Sequence, residues 1–179
     1  IRSVHHLADS VEVLTQDHSY PASHEHGGVW VCVFAADDIP DYRLRVTYGD
    51  HSQVVDDPYR FLPTVGEMDT YLISEGRHER LWDVLGAHLM HFDGVMGPVD
   101  GVAFAVWAPN AQAVRVVGDF NFWDGTGHAM RTMGASGVWE LFIPGVGVGA
   151  RYKFEIQGPS GNWFQKADPM ARATEIPPA

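Results

Sequence analysis

Apolar positions in this chain come in short, β-branched runs that stop at Gly, Pro, Asn or Asp, the pattern of strands separated by turns. In the first 56 residues the runs fall at 1–4, 11–15, 29–34, 42–48 and 51–55, with turn residues at 9–10, 27–28, 37–41 and 49–50 between them. From His88 onward the same texture predicts strands at 102–107, 113–118, 138–143 and 150–157. Short strands at this spacing predict an all-β sandwich architecture. Alternation also sorts faces. Tyr152, Phe154 and Ile156 point one way along their strand, and Lys153 and Glu155 the other. Trp139, Leu141 and Ile143 form a second apolar stripe, which assigns Trp139 to a core.

The two halves resemble each other. Gly28-Val29-Trp30 matches Gly137-Val138-Trp139, Tyr42-Arg43-Leu44-Arg45-Val46 matches Tyr152-Lys153-Phe154-Glu155-Ile156, and Asp57-Pro58 matches Asp168-Pro169, at a nearly constant offset. Carried back, that register sets Ile1 opposite Phe104, inside a strand, so the chain reads as a fragment whose first module is cut near its first strand. Between the halves the texture changes. Residues 57–63 are expected to be extended, because each Pro denies its predecessor the helical conformation. Residues 65–73 fit a short helical turn or a strand equally well. Residues 77–86 predict a short helix with Leu81, Trp82 and Leu85 on one face and Gly86 as its stop. The expected organisation is a first module over 1–56, a connector with a short helix over 57–86, a second module over 87–176, and an extended lead over 177–179.

Twelve basic residues stand against 23 acidic ones, a net charge of −11, and no Lys/Arg-rich run occurs. Nucleic acid and anionic membrane surfaces are therefore poor partners. No apolar stretch approaches the roughly 20 residues that span a bilayer. The single Cys32 can form no internal disulfide and reads as a small buried residue, consistent with a reducing compartment. Among ten His residues, His5-His6 and His24-Glu25-His26 invite a metal reading, but no third zinc-type ligand accompanies them, and no metal is expected. No nucleophile elbow or cysteine-protease signature is present. Asp119, Asp124 and Asp168 are expected to form solvated turns and not to face one another across a cleft.

The chemistry-bearing stretch is 114–125, where the run Val114-Arg115-Val116-Val117 ends at Gly118 and Asp119-Phe120-Asn121-Phe122-Trp123-Asp124-Gly125 follows as a turn. Phe120 reads equally well as a ring that caps the core or as one presented by the turn. Trp123, between Asn121 and Asp124, is read as a flat ring offered to a sugar, because aromatic planes cover the C–H face of a pyranose while amides and amines take its hydroxyls. Trp163, expected in the turn Gly158-Pro159-Ser160-Gly161-Asn162, would supply a second plane, with Lys153, Asn162 and Asn121 as hydrogen-bonding groups.

With these residues in view the chain resembles the N-terminal region of bacterial 1,4-α-glucan (glycogen) branching enzymes. The resemblance covers 56–176 and is carried by Asp57-Pro58-Tyr59-Arg60-Phe61, Glu75-Gly76-Arg77-His78, Leu85-Gly86-Ala87-His88, Phe104-Ala105-Val106-Trp107-Ala108-Pro109-Asn110-Ala111, Val117-Gly118-Asp119-Phe120-Asn121, Gly137-Val138-Trp139-Glu140-Leu141-Phe142-Ile143-Pro144, Tyr152-Lys153-Phe154 and Lys166-Ala167-Asp168-Pro169. Residues 1–50 match only loosely. The resemblance implies two tandem immunoglobulin-like β-sandwich modules, the second a family-48 carbohydrate-binding module, ahead of a catalytic (β/α) barrel that this chain lacks. It implies a cytoplasmic enzyme of glycogen biosynthesis that needs no cofactor and transfers α-1,4-glucan segments into α-1,6 branches, with its catalytic carboxylates on the barrel and none in this chain. The implied partners are α-1,4-glucan (glycogen, maltooligosaccharide) and the barrel itself. Glucan-binding modules of the family use positions matching Trp123, Lys153 and Trp163, although some branching enzymes carry a non-aromatic residue at the third. A stand-alone glycogen-binding regulatory module and the corresponding region of a debranching-type enzyme are the alternatives; the 57–86 connector argues for the branching enzyme.

Overall fold

The computed structural model describes residues 1–38 and 40–175; the expected lead at 177–179 lies outside the described residues. The chain divides into two compact units, one made of Ile1–Phe61 with His91–Val99 and the other of Leu62–Met90 with the residues from Asp100 onward. Residues 91–99 group with the first unit although the chain around them belongs to the second.

The first unit holds β1 (Arg2–Val4), β2 (Ser10–Leu14), β3 (Ser19–Pro21), β4 (Ser23–His24), β5 (Val29–Val31), β6 (Arg43–Tyr48) and β7 (His51–Val55). They form a three-stranded sheet, β1-β5-β4, and a four-stranded sheet, β3-β2-β6-β7. Period-two patterning decides which side chains enter the core: Val11 and Val13 of β2 meet Leu44 and Val46 of β6, with Trp30 and Cys32. On the other face Glu12 lies opposite Arg45 and the two charges pair at 2.6 Å. The unpredicted β3 and β4 are short and polar, and β3 ends in Pro21, which an edge strand tolerates.

The second unit holds α1 (Glu67–Ser74), most of β8 (Gly86–Phe92), β9 (Val99–Trp107), β10 (Ala113–Gly118), β11 (Arg131–Thr132), β12 (Val138–Pro144), β13 (Tyr152–Gln157) and β14 (Trp163–Lys166). Its sheets are again three-stranded, β10-β13-β14, and four-stranded, β11-β12-β9-β8. Between them lie Phe104, Val106, Val114, Val116, Leu141 and Phe154, with Trp139 packed against the group. A second layer covers the far side of β9 and β12, where Val65, Ile73 and Leu85 meet Ala105 and Val138. Residues 101–106 are consequently buried without alternation.

The connector's helix is α1, and the helix expected over 77–86 is reduced to a single 3-10 turn at Leu81–Asp83. Glu67 and Asp69 favour α1 by sitting at its positive end. The later segment has no room for a second turn, since Gly86 already begins β8. Leu85 is buried, but Trp82 stands 58% exposed instead of sharing its apolar face. Among the described residues no helix is long and apolar enough to cross a membrane.

Candidate functional site

In an antiparallel ladder, directly opposed residues project from the same side. The register across β10, β13 and β14 pairs Val117 with Lys153, Arg115 with Glu155, Glu155 with Gln165 and Gln157 with Trp163. Lys153, Arg115, Glu155, Gln157, Gln165 and Trp163 therefore share the outer face of this sheet, while Phe154 and Val116 face the core. Trp163 is the first residue of β14 and not part of the preceding turn. That turn closes earlier, through Gly158 N–H to the Asn162 carbonyl at 3.0 Å and Gln157 Nε2 to the Gly161 carbonyl at 3.0 Å. Asn162 is exposed beside Trp163, its amide 3.4 Å from Ser160 Oγ. Trp163 is 36% exposed, and the Arg115 guanidinium carbon sits 4.1 Å from its ring centre.

Trp123 comes from the turn after β10, which begins with one turn of 3-10 helix at Asp119–Asn121. Phe122 and Trp123 then both take left-handed backbone, at φ 54° and 62°. Trp123 donates its backbone N–H to the Gly118 carbonyl at 2.9 Å and its indole N–H to Asp119 Oδ1 at 3.2 Å. Asp119 is also gripped by Arg151, through Nε at 2.9 Å and Nη2 at 3.1 Å, and these bonds hold its carboxyl below the usual carboxylate range. A side chain at Gly118 would run into the Arg151 carbonyl and the Phe120 ring. Gly125 returns over the outer face: a Cβ there would lie 2.8 Å from Arg115 Cβ and 3.0 Å from Val117 Cγ1. Thus the turn that presents Trp123 packs on the strand that carries Arg115, and Val117 beneath it is fully buried. Phe120 packs on the core, 5.9 Å from Phe104.

Asn121 bonds to the turn itself. Its Oδ1 accepts from Gly118 N–H at 2.9 Å, and its Nδ2 donates to the Val116 carbonyl at 2.9 Å and to His128 Nδ1 at 3.1 Å. These bonds hold the amide within the turn. Asp124 is exposed and caps Thr126. Asp168 is not a solvated turn former: it is buried, accepting the Tyr152 hydroxyl on Oδ2 and Met170 N–H on Oδ1 at 2.8 Å. Burial first and Asp168 second push the Tyr152 phenol far up.

Sequence reasoning passed over Arg115 and Glu155. The available signal was period-two alternation, which sets both on the face of Lys153, but pairing them needs the β10–β13 register. Among the described residues no group of three or more His, Cys, Asp and Glu is placed to hold a metal. His24 instead leans on Trp30 at 5.1 Å, and burial pushes His5 down.

Two family models match the chain: the N-terminal domain of the α-1,4-glucan branching enzyme GlgB over residues 1–59, and carbohydrate-binding module 48 (isoamylase N-terminal domain) over residues 84–171. The 1,4-α-glucan branching enzyme GlgB of Frankia casuarinae is 57% identical over 173 residues, covering 96% of this chain and 21% of that protein. That of Rhodococcus jostii is 50% identical over 180 residues, covering 100% of this chain and 25% of that protein. That of Thermobifida fusca is 57% identical, covering 99% and 24%. The chain thus spans a quarter or less of the length of these relatives. With one domain model matching its start and the other its second half, the chain belongs to the N-terminal region of the bacterial 1,4-α-glucan branching enzyme family and includes a family-48 carbohydrate-binding module.

Proposed function

We propose that this region holds α-1,4-glucan, as glycogen or maltooligosaccharide, on the outer face of β10-β13-β14 and packs on the catalytic barrel of a cytoplasmic branching enzyme that builds α-1,6 branches. The observation that carries this reading is the cross-strand register that sets Trp163 and Lys153 on one face, with the Trp123 turn folded onto the same strands. An indole plane with amine and amide donors beside it is the chemistry of a sugar site. Trp123, Trp163, Lys153 and Asn162 contact the glucan; Asn121 holds the turn. Packing on a barrel is supported by an apolar cavity of about 410 Å³ lined by Ile73, Leu81, Leu85, Trp107 and Met170, walls suited to covering by another protein surface. Catalysis belongs to the barrel, so the 179-residue chain alone is inactive.

The test is a titration of the chain with maltoheptaose, followed by calorimetry and by the indole NMR signals, beside Trp123→Ala and Trp163→Ala. Saturable binding that either variant loses is the expected result. No indole shift at millimolar sugar overturns the glucan site, and branching-type loss of iodine colour from amylose treated with the chain overturns the assignment of catalysis to the barrel.

A further inference from the structure

We propose that Arg115 and Glu155 form a clamp beside Trp163 that reads two adjacent sugar hydroxyls, so that this face selects an α-glucan by its equatorial 2- and 3-hydroxyls. The proposal rests on the glucan reading of this face. Glu155 lies directly opposite Arg115, yet Nη1 and Oε2 are 3.7 Å apart, near enough to attract and too far for a hydrogen bond. An ion pair of this kind on a wetted surface contributes little by itself. Arg115 is held by other means: its guanidinium rests on the Trp163 ring, and Gly125 packs on its stem. A cation bound through the π face leaves its N–H donors unspent.

The result is a donor set and an acceptor, 31% and 21% exposed, with the donor stacked over one face of the Trp163 ring. A vicinal diol places two oxygens about one hydrogen-bond length apart. One hydroxyl can donate to the Glu155 carboxylate while its neighbour accepts from the edge of the Arg115 guanidinium, whose own plane covers this side of the indole. Lys153, two residues along the same face, reaches a further hydroxyl. Because Gly125 couples Arg115 to the Trp123 turn, the donor is positioned before the sugar arrives.

Maltoheptaose, β-cyclodextrin and 2-O-methylated β-cyclodextrin are titrated into the chain and into Glu155→Gln, Arg115→Lys, the double variant and Trp163→Ala, with amide NMR spectra as the check on folding. Each single clamp variant is expected to weaken maltoheptaose about tenfold, the loss of one charge-assisted hydrogen bond. The double variant should be little weaker than either single one, since the two side chains act as a unit. The unmodified chain should prefer β-cyclodextrin to its 2-O-methyl form, and Glu155→Gln should lose that preference. Folded clamp variants that bind like the unmodified chain and keep the preference overturn the clamp, while loss in Trp163→Ala alone leaves the glucan site standing. Absence of binding by the unmodified chain overturns both.

Discussion

Phe122 and Trp123 hold left-handed backbone without being Gly or Asn, at a cost on the order of 1–3 kcal/mol per residue. Asn121 offsets that cost through its backbone bonds, and one of its amide hydrogens ends on His128 Nδ1, which must be unprotonated to accept it. His128 also meets the Phe120 ring edge-on. Burial pushes its pKa down, with Asp124 pulling weakly the other way. As pH falls through the ordinary His value of about 6.5, the unfolded chain takes up a proton that the folded turn resists. Stability is therefore present above about pH 6.5 and declines below it, down to the depressed folded-state pKa. His5, also lowered by burial, adds to the same decline. His128→Gln should flatten part of the fall in melting temperature between about pH 7 and about pH 5. An unchanged slope would remove His128 from the account. The sequence made the Asx-rich turn and its tryptophan legible. It could not orient the Asn121 amide, because that depends on the Val116 carbonyl and on a histidine at the far end of the turn.

Among elements, β12 shows how far periodicity reaches. Its stripe Trp139, Leu141, Ile143 is legible as a core face, and alternation turns Glu140 to the opposite side of the strand. Glu140 is fully buried, because the connector carries Thr64 onto that face: Thr64 donates its backbone N–H at 3.1 Å and its hydroxyl at 2.8 Å to Oε2, while Arg131 Nε pairs with Oε1. Such coverage arises from tertiary packing and leaves no mark in a strand's own period. The same limit hid β14, whose four residues are all exposed and whose strand character comes from pairing with β13. Glu140→Ala leaves Arg131 and the Thr64 donors without their carboxylate, and should cost about 3–5 kcal/mol in urea unfolding. Glu140→Leu combined with Arg131→Met removes both charges and should cost clearly less than Glu140→Ala, since a buried pair recovers little beyond its own desolvation. Losses that simply add would mean that the two side chains do not depend on each other.

Across the whole molecule, the internal repeat seen in sequence turns out to be a repeated latch. In the first unit the Tyr42 hydroxyl donates to Asp57 Oδ2 at 2.8 Å and Tyr59 N–H to Oδ1 at 2.9 Å; in the second, Tyr152 and Met170 make the same pair of bonds to Asp168. Both carboxylates are buried, so each latch ties the chain segment after its Asp-Pro to a strand or strand edge through a group that water does not reach. Replacing Tyr42 or Tyr152 by Phe leaves one buried carboxylate oxygen without its hydroxyl donor, a loss of about 1–3 kcal/mol. The pH dependence is distinctive. Burial first, then the facing carboxylate, raise both phenols well above their ordinary value. From about pH 10 the unfolded chain releases protons that the folded chain keeps, so stability is whole below that pH and falls as pH rises. Each Phe variant should start lower at about pH 8 and lose less by about pH 11 than the unmodified chain. Amide exchange should show the loss of protection in the unit that carries the substitution: β6 and β7 for Tyr42→Phe, β10 and β13 for Tyr152→Phe. Equal alkaline slopes in all three chains would show that these tyrosines do not set the alkaline limit, and that the repeat preserves the contact for its geometry alone.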